Sequence, residues 1–260
     1  MAVVSIDLAR RRYADNGLAL LGILDRRIRC EFRRIEEDLT GEPSAPELAD
    51  YLIELASSTG SECILIDGPQ AWKSPSNGHV HQRDCEKILY TPGKTGEPGV
   101  VKPASWTSFV ELSVALFDAL HDRGWVRLGE LPRDDGEYRR LAIESFPTAA
   151  WRALRLKPLP GKSNCPESEI QSHLDALMRI FPLDLSRRPS HDELQALVAG
   201  IGGVALESSR TEFLQVVGRP PETEDGVWRE GFIVNPTLPP HVSRVRRIGL
   251  QLDPAGEGLE

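Results

Sequence analysis

Apolar residues fall in short blocks along this chain, separated by turn chemistry, and the blocks switch between a period of two and a helical period. Residues 2–7 (Ala-Val-Val-Ser-Ile-Asp) read as a buried strand. Asp15-Asn16-Gly17 is a tight-turn signal, so 18–24 is the next strand. Asp25-Arg26-Arg27 is a second turn, and 28–35 alternates Ile28, Cys30 and Phe32 with polar residues as a third strand. These three form an antiparallel meander. Gly41 to Pro46 is a linker with helix-start chemistry, Ser44 as N-cap and Glu47 three residues later. The helix runs to about Ser57 with Leu48, Tyr51, Leu52 and Leu55 on one face, and Thr59-Gly60-Ser61 ends it. The very apolar strand 62–67 follows. Strand, helix, strand in this order predicts a parallel pairing with a right-handed crossover.

Residues 68–104 are rich in Gly, Pro, Lys and Ser, with a short helix predicted at 82–90; a loop region of this length is usually functional or mobile. Next come a helix at 105–123, a short strand at 125–128 and a strand at 139–144. Pro147, at a tolerated first-turn position, starts a helix to about Leu156. Helices at 167–180 and 190–207 and a final edge strand, Trp228 to Val234, complete the order. The pattern predicts an α/β fold, a mixed sheet flanked by helices. It spans one domain, 1–236, with an insertion at about 68–104 and a C-terminal tail, 237–260.

Composition narrows the class. At 260 residues and 40% hydrophobic content the chain suits one α/β domain and not a membrane protein. No apolar run approaches the ~20 residues of a spanning helix, and no signal peptide is read, so a cytoplasmic protein is expected. Cys30, Cys63, Cys85 and Cys165 are scattered and read as reduced thiols. A net charge of −8 argues against tight, non-specific nucleic-acid binding. Arg10, Arg11 and Arg12 directly after Asp7, with Lys73, Lys94, Lys102 and Lys162 in later loops, supply local positive charge that suits a phosphate-bearing substrate.

The candidate chemistry lies in four acids. Asp7 ends the first strand, Asp67 ends Cys63-Ile64-Leu65-Ile66, Glu144 ends Leu141-Ala142-Ile143, and Asp192 opens an apolar helical pattern. Carboxylates at the ends of buried strands are costly to desolvate. Three of them plus one on a late helix predict a divalent-cation site, with magnesium or manganese (Mg2+ or Mn2+) preferred by oxygen ligands. Two such ions about 4 Å apart can clamp the attacking and leaving oxygens of a phosphoryl transfer. Taken singly, Asp67-Gly68-Pro69 is ordinary turn chemistry, Asp192 a dipole partner at a helix start, and Glu144 a neighbour of the next helix cap. The joint pattern favours the metal site.

Four stretches carry a family resemblance: Val4-Ser5-Ile6-Asp7-Leu8, Ile66-Asp67-Gly68-Pro69-Gln70, Glu144-Ser145-Phe146-Pro147, and His191-Asp192-Glu193-Leu194-Gln195-Ala196-Leu197. Arg83-Asp84-Cys85-Glu86 and Glu230 to Pro236 support them. In this order they resemble domain of unknown function 429, an uncharacterised family of predicted nucleases with a ribonuclease H-like fold. The resemblance implies three antiparallel strands followed by parallel ones, and a metal-dependent nuclease or phosphodiesterase. It implies catalytic and metal-binding roles for Asp7, bridging two ions, for Asp67 and Glu144, and for Asp192 on the helix. Members often carry HDxxDA in the last motif; here the second acid is Gln195, which offers a carbonyl oxygen but no charge.

Two other readings compete. One is a catalytically lapsed module of the same fold, used for binding or as a scaffold. The other is an actin-like or sugar-kinase ATPase, disfavoured because Leu8-Ala9-Arg10-Arg11-Arg12 lacks the small Gly/Thr turn such phosphate sites need. His191 reads as a proton shuttle or, more simply, as a helix-start histidine. His79, His81 and Cys85 fit no zinc template. Trp72, Trp106 and Trp151 read as base-stacking surfaces or, more simply, as packing residues. The expected partner is a nucleic acid or nucleotide substrate, with no membrane.

Overall fold

Three antiparallel strands open the chain where the turn signals place them: β1 (Ala2–Asp7), β2 (Gly17–Leu24) and β3 (Arg27–Arg33). The structure is a computed structural model, and residues 2–130 and 140–238 are described. After β3 come α1 (Ala45–Thr59), β4 (Cys63–Asp67), α2 (Asp84–Leu89), and the short pair β5 (Lys94–Thr95) and β6 (Val101–Lys102). The remainder is α3 (Thr107–Asp122), β7 (Val126–Arg127), β8 (Leu141–Ser145), α4 (Pro147–Ala153), α5 (Glu167–Ile180), β9 (Leu183–Leu185), α6 (His191–Glu207), β10 (Leu214–Glu224) and β11 (Val227–Pro236). Among the described residues the main sheet runs β10-β11-β8-β4-β1-β2-β3-β9, with β7 beside β8. β4 lies parallel to β1 and β8 parallel to β4, so the sheet is mixed, as expected.

Side chains alternate across this sheet and build two cores. Val3, Leu65 and Ile143 pack with Leu194, Leu197 and Ile201 of α6 on one face. Val4, Ile6, Ile64 and Ile66 pack with Leu48 and Leu52 of α1 and Leu116, Phe117 and Leu120 of α3 on the other. α6 lies close to β1, β2 and β4 because two of its three glycines face them. At Gly200 a Cβ would stand 2.4 Å from Leu21 Cδ1, and at Gly203 2.3 Å from Leu65 Cδ1.

Several expectations need correction. Trp228–Val234 is not an edge strand: β11 is longer and lies inside the sheet between β10 and β8. The edge is β10, for which the sequence gives no clear strand signal because Gly218, Pro220 and Pro221 interrupt it. The prolines sit where the β10–β11 register shifts, between Arg219 and Glu222, and an edge strand tolerates them there. β9, parallel to β3, was too short to read. Ser44 is the N-cap of α1, as expected, but its hydroxyl donates to Glu47 Oε2 at 2.6 Å instead of accepting from a backbone N–H. Residue 139 of the predicted 139–144 strand, and all but the first two residues of the 237–260 tail, lie outside the described residues.

Candidate functional site

Register decides which acids meet. Asp7 and Asp67 are direct partners at the ends of the parallel pair β1 and β4, so their side chains leave the same face, the α6 face. Asp192 reaches them through a glycine. Gly17 pairs with Asp7, and a Cβ on Gly17 would stand 2.1 Å from the Asp192 backbone, so α6 begins directly over Asp7. Glu144 does not join this row. Its partner on β4 is Ile66, whereas Asp67 pairs with Ser145. Glu144 therefore points one step back and to the α3 face. It nevertheless lines the same cleft as Asp67, and its charge helps to raise the Asp67 pKa.

Asp7 and Asp67 are only partly accessible to solvent and share a hydrogen bond in which Asp7 donates. Burial pushes the Asp7 carboxyl well above the usual range, and the charges of Asp67 and Asp192 add to it. Burial lifts Asp67 to about 7; the bond from Asp7 opposes the rise and the Glu144 charge assists it. Burial and proximity thus disfavour the doubly ionised form of the pair.

The other two acids are compensated by cations. Arg83 clasps Glu144 in a two-pronged pair, Nη1 to Oε2 at 2.7 Å and Nη2 to Oε1 at 2.6 Å, both side chains almost fully buried. The Gln70 amide donates to the same carboxylate at 2.9 Å, and Arg83 Nε reaches Glu86 at 3.2 Å. Burial raises Glu144 while Arg83 holds it down. Asp192 accepts from Lys162 Nζ at 2.5 Å and contacts His191 Nδ1 at 2.8 Å; these bonds outweigh burial and lower its pKa. His191 Nε2 faces the Pro160 carbonyl at 2.8 Å. Burial lowers His191, but the Asp192 bond prevails and its pKa rises.

Gln195 does not stand in for a fifth ligand. Its Oε1 accepts the Trp151 indole N–H at 2.7 Å, across to α4. Glu193 is committed to Arg187 and to the Ser190 cap. His79 pairs with Asp84 at 2.9 Å, and the Cys85 thiol is buried in a small apolar cluster, so these residues assemble no zinc site. Among the described residues no group of three or more His, Cys, Asp or Glu side chains is arranged to hold a metal ion.

A cleft of about 540 Å³ opens beside the strand ends. Asp67, Arg83, Glu86 and Glu144 contribute to it, with Arg10, Arg11, Trp106, Phe109 and Phe146 among its other lining residues. A smaller cavity of about 250 Å³ has Lys162, Arg187, Asp192 and Glu193 among its lining residues. Of the expected cations, Arg12 is held by Asp15 and buried Lys73 pairs with Glu97 at 3.1 Å, while Lys94 turns toward the Glu86 carbonyl at 3.4 Å. Trp72 and Trp151 are buried packing residues; Trp106 lines the cleft.

Sequence reasoning gave Arg83 and Glu230 no role. Both fell in the supporting stretches, and an arginine just before a short helix with Glu86 three residues on was the available signal. Glu230, fully buried, accepts from the Ser74 and Asp84 amides and the Asn77 side chain.

No protein-family model matches the chain, and no curated protein matches it. Two solved Thermus thermophilus structures are similar. One is RuvC alone, 10% identical, TM-score 0.40, covering 80% of this chain and 97% of that one. The other is RuvC in complex with a Holliday junction substrate, 13% identical, TM-score 0.37, covering 80% and 96%. At these values neither bears on what this protein does. No described helix is long and apolar enough to cross a membrane.

Proposed function

We propose that the protein is a divalent-cation-dependent phosphodiester hydrolase with a ribonuclease H-like sheet. The strand order β3-β2-β1-β4-β8, antiparallel first and parallel after, supports the fold assignment. One observation carries the chemistry: two half-buried acids lie in register at adjacent strand ends beside a cleft, hydrogen-bonded to each other, and burial raises both above the usual carboxylate range. A pair of that kind fits a cation in place of the proton. The buried Ser145 hydroxyl, across from Asp67 and without a hydrogen-bond partner among the described residues, adds an uncommitted oxygen.

Asp7 and Asp67 would hold Mg2+ or Mn2+, which when bound polarises a phosphoryl oxygen and acidifies water. Asp192 is the next carboxylate in reach once Lys162 turns away. Glu144 keeps Arg83 fixed at the cleft. A two-ion arrangement needs Asp192 to leave Lys162 and Glu144 to leave Arg83; a one-ion arrangement needs neither. Manganese-dependent cleavage of bis(p-nitrophenyl) phosphate tests this. Asp7→Asn should abolish both cleavage and Mn2+ binding, and turnover that survives the change refutes the site.

A second assignment, a lapsed binding module, is favoured by the commitment of Gln195 to Trp151 and of Glu144 to Arg83. It predicts ligand binding by the wild-type protein without turnover.

A further inference from the structure

We infer that the cleft accepts one unpaired nucleotide, its base against Trp106 and its phosphate between Arg10, Arg11 and the acid pair, and that it excludes intact duplex. This rests on the hydrolase assignment only for where the phosphate points.

Size comes first. A cavity of about 540 Å³ lies within the range of small-molecule sites and encloses one nucleotide unit, not a double helix. Duplex-binding surfaces also need a long stripe of positive charge, and this chain carries −8 overall.

Charge comes second. Arg10 and Arg11 line the cleft and, among the described residues, have no acidic partner. Their neighbour Arg12 is tied to Asp15 at 2.7 Å. The cations of the smaller cavity are committed as well: Arg187 to Glu193, Lys162 to Asp192, Arg33 to Glu31. Uncommitted positive charge therefore lies on the cleft side, where Asp67 also lies. A phosphate ester seated there meets two guanidiniums, which bind it through paired N–H donors.

The third element is aromatic. Trp106 is 37% exposed although it lines the cleft, and Phe109 holds it edge-on with ring centroids 6.0 Å apart. Gly93 packs against the indole so closely that a Cβ there would stand 2.7 Å from Cε3. An indole braced from two sides and left partly open is a stacking surface for any base. Ser105, Ser108 and Thr148 add hydroxyls without adding charge.

The test is calorimetry on the full chain with thymidine 5′-monophosphate, deoxyribose 5-phosphate, a single-stranded thymidylate hexamer and a blunt duplex long enough to stay paired at the assay temperature. Wild type should bind the nucleotide at least tenfold more tightly than the sugar phosphate, and the single strand at least tenfold more tightly than the duplex. Trp106→Ala should weaken the nucleotide roughly tenfold, and Trp106→Phe should restore most of it. A hexamer bound more tightly than the mononucleotide identifies a strand as the source; equal affinity identifies a free nucleotide. Equal binding of nucleotide and sugar phosphate, or a duplex bound as well as the single strand, overturns the inference; both comparisons use wild type and stand even if Trp106→Ala fails to fold. Base-dependent binding in a protein that hydrolyses no diester would defeat the hydrolase assignment and leave this one standing.

Discussion

Replacing Asp67 with Asn removes one of two buried acids while keeping a side chain that can accept the Asp7 hydrogen bond. In the unfolded chain Asp67 loses its proton near 3.8; in the folded protein it does so near 7. Between those values the native state binds more protons than the unfolded one, so this carboxyl makes stability fall as pH rises through the window. Three pH units at ~1.4 kcal/mol each set a ceiling of about 4 kcal/mol. Because the titration is shared with Asp7, Asp67→Asn is expected to stabilise the protein by ~2–4 kcal/mol at pH 8, with the gain fading toward pH 4. For a chain of this size that corresponds to a rise in Tm of roughly 5–15 °C, read by circular dichroism in melts at pH 4.5, 6 and 8. Millimolar Mn2+ should narrow the gap at pH 8, because it stabilises only the wild-type pair. A variant no more stable than wild type at pH 8, or one whose gain is the same at pH 4.5, refutes the shared-proton account.

Other substitutions probe the surrounding contacts. Arg83→Leu leaves Glu144 and Glu86 buried without their cation and should destabilise by ~3–5 kcal/mol in urea unfolding, with much of the loss recovered in the Arg83→Leu/Glu144→Leu double variant. Lys162→Ala removes one of the two partners of Asp192 and should tighten Mn2+ binding about tenfold by calorimetry, or ~1.4 kcal/mol; unchanged affinity would show that Asp192 contributes nothing to the cation site. Gly231 has φ +114°, and a Cβ there would stand 2.3 Å from Gln70 Cδ, so Gly231→Ala should lower stability by at least ~2 kcal/mol.

Much of the sheet was legible because its strands are short apolar runs bounded by turn residues. Asp15-Asn16-Gly17 and Asp25-Arg26-Arg27 fixed the meander, and the link from β3 through α1 to β4 fixed the parallel pairing. Asp7 and Asp67 could be paired because each ends a strand, and those strands proved to be neighbours. Glu144 could not be placed the same way. Its strand runs one residue further, to Ser145, and which residue of β8 faces Asp67 depends on register, a property of two strands together. The same limit applies to Gln195. Its place in the last motif suggested a role beside Asp192, but its carbonyl oxygen accepts from the indole of Trp151, 44 positions earlier in the chain. Arg83 carried too weak a local signal, since an arginine in a Gly/Pro-rich loop ordinarily reads as solvated surface. β10 was hidden by prolines that only an edge strand with a register shift can hold.

The segment after β4 is clasped by the last strand. Trp72 exchanges backbone hydrogen bonds with Trp228 and Glu230, Arg229 holds the Lys73 carbonyl, and Gln70 donates to the Phe232 carbonyl. Chains emerge from the ribosome N-terminus first. The meander and β4 can therefore assemble while the segment that carries Arg83 still waits for partners made some 150 residues later. A nascent or C-terminally truncated chain would have the acid pair without its arginine-braced neighbour. The wall of the cleft that carries Arg83 therefore closes last, when β11 docks against residues 70–74.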